Sequence, residues 1–255
     1  MSKDDWYRNT EWNDQTESEF EARLKRSRGN YNKAQYLRIQ ASYLLDSQKT
    51  ENQKKGIQLM ERVINDYPEE TFSTIHGHEQ LGDYYLKNGN YEQAEKYFRI
   101  VTDHYHSNTR SGTTGLADLK LSETILLSDQ EEKLQEAYEL STLKFDETGG
   151  HLLMNDQKFY YATLMANLCL RMGEIEEASE YANSALQLST ITEPQFSRHK
   201  TAGIINADKN TIDRLRKIKE KSLATTTPIS KRVDSGKRND YTFNKLWSRL
   251  TGKRF

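Results

Sequence analysis

The stretch Ile75–Asn108, IHGHEQLGDYYLKNGNYEQAEKYFRIVTDHYHSN, decides the fold. Small residues stand at Gly82 and Ala94, on either side of a short polar break, Lys87–Asn90. Bulky Tyr85 and Phe98 follow each of them at helical spacing. This pattern predicts two antiparallel helices that cross closely at the small residues, with the rings filling the space beside the crossing. Gly89 lies in the break, where the chain reverses and a residue free to take positive φ is needed.

The same arrangement recurs at about Phe159–Ile191. Aligning Gly173 with Gly89 puts Ala166 on the first helix, with Cys169 one turn later and Ala178 and Ala182 on the second helix. Arg171-Met-Gly-Glu-Ile-Glu-Glu-Ala178 parallels Lys87-Asn-Gly-Asn-Tyr-Glu-Gln-Ala94. Two degenerate copies use Ala41 with Gly56, and Ser122 with Ala137, each needing a longer loop. The first-helix small residues Ala41, Gly82, Ser122 and Ala166 recur about every forty positions. Self-similarity at a fixed period is the mark of stacked helical repeats.

These residues resemble the tetratricopeptide repeat (TPR) family, over about residues 34–192. Asp66-Tyr67-Pro68 adds the family's proline after a second helix. The opening DWYRNTEWND, residues 5–14, resembles openings of uncharacterised bacterial proteins of this type. The standard period is ~34 residues, so helices or linkers here are longer. The resemblance implies an all-α fold, a right-handed α-solenoid of about four helix pairs. Capping helices and a flexible basic C-terminal tail complete it.

The expected organisation follows the chain. Residues 1–33 form a leader and a capping helix. In that helix Asp14 and Glu17 suggest a capping box, and Phe20 and Leu24 face inward. The aromatics Trp6, Tyr7 and Trp12 are expected to cover the first helix pair. Residues 34–192 hold the repeats. Residues 193–222, with Ile204, Ile205, Ile212, Leu215 and Ile218, form a capping region of one or two helices. Residues 223–240 are a linker, and 241–255 a basic amphipathic segment.

Charge is unevenly spread. The net is −1, yet residues 200–255 carry +10 and residues 1–199 carry −11. A basic tail on an acidic body is drawn to anionic surfaces or back to the body. The first residues lack an apolar run and no stretch approaches the ~20 apolar residues of a membrane span. With a single cysteine, Cys169, a reducing cytoplasmic setting is expected.

In the family, partner-facing residues lie on the first helix of each pair. The resemblance places Gln35, Arg38 and Ser42 in this groove, then His76, Glu79, Asp83 and Lys87. Lys120 and Glu123 follow, then Tyr160, Thr163, Asn167 and Arg171. Their mixed charge suits a peptide or protein, against the alternative of a plain solvated face. A nucleic-acid track would be uniformly basic. Family members that clamp a chain-terminal carboxylate use Lys and Asn at fixed groove positions. Here those positions hold Arg38 and Ser42, Glu79 and Asp83, and Leu119 and Glu123, so that chaperone-tail subtype is not implied.

The second candidate contact is Tyr241–Phe255, YTFNKLWSRLTGKRF. Phe243, Leu246, Trp247 and Leu250 form one apolar helical stripe, with Lys245 and Arg249 off it. Docking on an anionic membrane or a partner, folding back on the acidic body, and lack of fixed structure all stay open.

Catalytic signals are missing from the sequence. There is no GxxxxGK, GxGxxG, G-x-S-x-G or H-E-x-x-H, and no cysteine cluster. His76 and His78, like His104 and His106, are two apart, so neither pair chelates while helical. His78 reads as a packing residue, Ser111–Gly115 as a turn, and Cys169 as a buried, inert thiol. No catalytic residue, metal or cofactor is expected. The expected role is a non-catalytic scaffold or adaptor binding a protein or peptide. The alternatives are a peptide-sensing regulator, or a nucleic-acid or anionic-membrane binder through the basic C-terminal region.

Overall fold

Paired helices run through the computed structural model, which describes residues 5–225. No strand occurs among the described residues, and the helices pack in adjacent pairs. They divide into two compact units, one ending at Thr124 and the other starting at Ile125. The boundary falls inside a helix, a division that the sequence pattern did not anticipate.

In the first unit, α1 (Asp14–Arg26) buries Phe20 and Leu24. Its N-cap is Asn13, whose side chain accepts a 2.9 Å hydrogen bond from the Thr16 amide. The expected Asp14–Glu17 capping box is therefore corrected. Asn is as good a cap as Asp, and the helix starts one residue earlier. The leader packs onto α1 and α2 (Asn30–Leu45). Trp6 lies 5.3 Å from the Phe20 ring and 5.0 Å from Tyr36. Buried Gln40 fixes the leader backbone, accepting from the Asn9 amide at 2.9 Å and donating to its carbonyl at 2.8 Å.

The pair α2 and α3 (Thr50–Asp66) meets at Gly56. A Cβ built there would stand 2.9 Å from the Leu45 nitrogen and 3.0 Å from the Ala41 carbonyl. The pair α4 (Thr71–Lys87) and α5 (Tyr91–Ser107) meets at Gly82, where a Cβ would stand 2.6 Å from Phe98. Tyr85 stacks on Tyr97, 5.6 Å between centroids. Gly77, a residue the repeat pattern did not single out, sits against Met60 where α4 meets α3. Gly89 takes φ of 72° in the reversal. After α5, a turn leads into α6 (Ala117–Leu127).

In the second unit, a 3-10 turn (Glu131–Lys133) precedes α7 (Leu134–Glu139). A π-helical turn (Leu140–Lys144) and the short α8 (Phe145–Glu147) continue it. The pair α9 (Asn155–Met172) and α10 (Ile175–Leu188) crosses at fully buried Ala166, Ala178 and Ala182. Gly173 ends α9 with φ of 83°. Ser122 and Ala137, the small residues of the weakest copy, are both fully buried, each in its own unit.

Helix α11 (Lys209–Thr225) lies on α10 and buries Leu215 and Ile218. Ile204 and Ile205 are not helical, which corrects part of the expected capping region. The irregular segment that holds them is tied to the start of α9 by Gln195. Its side chain accepts from the Asn155 amide at 2.9 Å and donates to the Leu153 carbonyl at 2.8 Å. The expected linker, 223–240, begins within α11. The rest of it, and the segment 241–255 with Phe243, Lys245, Leu246, Trp247, Arg249 and Leu250, lie outside the described residues.

The two glycine crossings respond to different neighbours. Gly82→Leu should destabilise the fold by ~1–3 kcal/mol through overpacking against Phe98. Gly56→Leu should cost more, because main chain rather than a ring stands in the way. Denaturant melts of both variants check this order. A Gly56→Leu protein as stable as its parent would refute the α2–α3 crossing.

Candidate binding face

The first helices of the first unit, α2, α4 and α6, carry the polar residues that matter here. Arg38 and Ser42 are one turn apart on α2, and His76, Gln80, Asp83 and Lys87 follow one face of α4. Helices α2 and α4 pack together, so the two rows form a seam.

Glu79 was expected to face a partner, but it is fully buried. It accepts from the Thr114 amide at 2.8 Å, and the Lys120 ammonium stands 3.8 Å away. The Ser111–Gly115 turn supplies this donor. A carboxylate taken out of water needs such partners, which explains why Glu79 points inward instead of into the groove. Lys120 in turn donates to Asp83 at 2.8 Å. Arg110, over the Tyr105 ring, pairs with buried Asp118 at 2.6 Å and holds the same turn through the Gly115 carbonyl.

Three buried polar atoms on the α2–α4 seam have no hydrogen-bond partner among the described residues: Arg38 Nε, His76 Nδ1 and Gln80 Oε1. Arg38 is only 9% exposed, and no ion pair to it exists among the described residues. Burial lowers its pKa from the ordinary value. The guanidinium still keeps its charge at neutral pH. The seam opens into a cavity of about 320 Å³, lined by residues that include Ser42, Asp46, Gln53, Gln80, Asp83 and Lys87. Gln53 is fixed there, accepting from the Tyr84 hydroxyl at 3.2 Å and donating to the Ser47 carbonyl at 2.7 Å.

The seam's charges are set by their surroundings. Burial, helped by Arg38 and Lys120, brings the His76 pKa down to about 4. Burial and Lys96 bring His78 down to about 4 as well. Burial raises Asp83, an effect Lys120 opposes. At neutral pH the seam therefore presents Arg38 as a cation beside a neutral imidazole, with Asp83 neutralised by Lys120. His78 packs beside Tyr97 at 5.8 Å, as a core histidine should, although its Nδ1 has no partner. Glu123, on α6, is half-buried and engaged within the protein.

The remaining expected groove residues stand on α9 in the second unit. Arg171 pairs with Asp129 at 2.9 Å and with Glu131. Asn167 donates to the Thr163 carbonyl at 2.6 Å. The Thr163 hydroxyl is buried without a partner, and Tyr160 is half-buried and engaged. Most of this set is thus committed within the protein. Buried Cys169 has its thiol pKa pushed up by desolvation, which disfavours a reactive thiolate.

No group of three or more metal-ligating side chains is found among the described residues, and no described helix is long and apolar enough to cross a membrane. Scans against models of known families, curated proteins and solved structures find no match.

The depressed histidines fix a pH response. The folded protein favours the neutral rings, while the unfolded chain binds protons from about pH 6.5 downward. Stability should fall as pH drops from about 6.5 to about 4 and then level off. Asp83 and Asp118, both raised by burial, act in the opposite sense. A His76→Gln, His78→Gln variant should therefore lose less melting temperature than the parent between pH 6.5 and 4.5. Parallel pH profiles for the two proteins would contradict the assignment.

Proposed function

We propose that this chain is a non-catalytic binding protein of the TPR type, its helix pairs stacked as a solenoid, that holds a protein or peptide on the inner face formed by α2 and α4. The reading rests on one observation above the others. Arg38, His76 and Gln80 bury three polar atoms without partners among the described residues on one seam, beside a polar cavity. Leaving a buried polar group unsatisfied costs ~1–3 kcal/mol, and more for a charge. A seam kept in this state is suited to a ligand that supplies the missing partners.

The mixed charges along α4 fit a peptide or protein surface better than a phosphate backbone, which favours uniformly basic tracks. The basic amphipathic segment 241–255 is proposed as a second contact, on the partner or on an anionic membrane. Two modest contacts on one chain raise avidity through effective concentration.

Affinity purification followed by mass spectrometry tests this. Full-length protein should capture a reproducible partner that Asp46→Lys with Lys87→Glu, at two exposed residues of the cavity lining, loses, while helicity and melting stay near parental values. Removing residues 241–255 should weaken capture, or abolish sedimentation with anionic liposomes. A partner set identical for all three proteins would refute the assigned face.

A further inference from the structure

We infer that the α2–α4 seam is a subsite for a carboxylate on an extended peptide, the carboxylate meeting Arg38 and the adjoining main chain entering the Gln53–Gln80 cavity. This rests on the binding role proposed above and names the chemistry of the bound segment.

The argument begins with charge. Asp83 has taken Lys120, and Asp118 has taken Arg110. Arg38 is left as a nine-tenths buried cation without an acid among the described residues. Its Nε is enclosed, so only the outer guanidinium edge is offered, and that edge matches a carboxylate in two parallel hydrogen bonds. Beside it, neutral His76 has an unused Nδ1 that serves as donor or acceptor. A cationic ligand would meet Arg38 directly, and an uncharged one would leave the cation unpaired.

The cavity points to peptide rather than to a free small acid. Gln53, Gln80 and Ser42 line it. Gln80 brings an unpartnered amide oxygen, an acceptor for a main-chain N–H. Arg38 and Ser42 are one helical turn apart, ~5–6 Å between Cβ atoms. That is about two residues of extended chain at ~3.3 Å each. An acidic side chain on Arg38 thus puts the main chain two positions away at the cavity mouth. A free chain terminus is the other source of a carboxylate.

Three libraries of nine-residue peptides, random except at the centre, separate these cases. The first has a central Glu and amide-capped ends. The second differs only in a central Gln. The third has the central Gln and a free C-terminal carboxylate. The full-length protein should retain the first at least tenfold better than the second, and the third no better than the second. Arg38→Met, which keeps the stem but removes the charge, should erase the preference. It should also melt no lower than the parent, because no internal acid loses its partner.

Equal retention of Glu and Gln libraries overturns the subsite but leaves a peptide-binding face standing. Retention of the third library alone overturns the side-chain assignment. A markedly lower melting temperature for Arg38→Met overturns it too, since the cation would then be structural. If no library is retained the subsite is wrong, whereas the binding role fails only if the Asp46→Lys, Lys87→Glu protein also captures the parental partner set.

Discussion

The close approach of paired helices at small residues is the constraint on which the rest depends. At Gly56 the facing main chain of Ala41 and Leu45 lies where a side chain would be. At Gly82 the ring of Phe98 fills the same space. Interhelical distance is set by the side chains at the contact, so a glycine there draws the axes together. Once α2 is held on α3 and α4 on α5, the faces of α2 and α4 that turn toward one another are fixed as well. Thus packing at the glycines determines where Arg38, His76 and Gln80 stand.

The helix pairs were legible because they follow from short-range pattern. Small residue, bulky residue and loop glycine recur in order, and each corresponds to a local requirement. Gly89 and Gly173 do adopt positive φ, as a chain reversal demands. What stayed hidden depends on contacts between distant residues. Nothing near Glu79 in the sequence marks it as interior, since its donor, Thr114, lies 35 positions away. Arg171 reads as a surface cation until Asp129 and Glu131 are placed beside it. The cap at Asn13 was missed for a simpler reason: Asn, Asp and Glu crowd the same few positions, and the choice between adjacent caps is worth little energy.

The candidate face was legible in outline and misread in detail. Assigning it to the first helix of each pair located Arg38, Ser42, His76, Asp83 and Lys87 on one seam. It did not reveal which of these were already satisfied. That distinction governs what a surface does, because an ion pair such as Lys120–Asp83 has little left to offer a ligand. The informative residues are those with unmet hydrogen-bonding capacity, and only the packing of distant residues decides which they are. Gln80, absent from the expected groove, joined the seam by this criterion alone.

The polar chain from the 111–115 turn ends at Asp83 and occupies the carboxylates of α4 within the protein. Thr114 holds Glu79 inside, Glu79 helps draw Lys120 toward α4, and Lys120 neutralises Asp83. Neither Glu79 nor Asp83 is paired with Arg38, so among the described residues its cation stands without an acid. His76 supplies no counter-charge either, since its ring is held neutral by burial and the two neighbouring cations, and protonation would only add another cation. A core built only for stability would replace the guanidinium with an apolar side chain of similar volume, as buried charges are often replaced at no loss. Its place one helical turn from Ser42, which lines the polar cavity, fits the common exchange of stability for binding. The proposed role and the energetic cost of Arg38 are then two aspects of the same arrangement: the missing acid is the part a partner would bring.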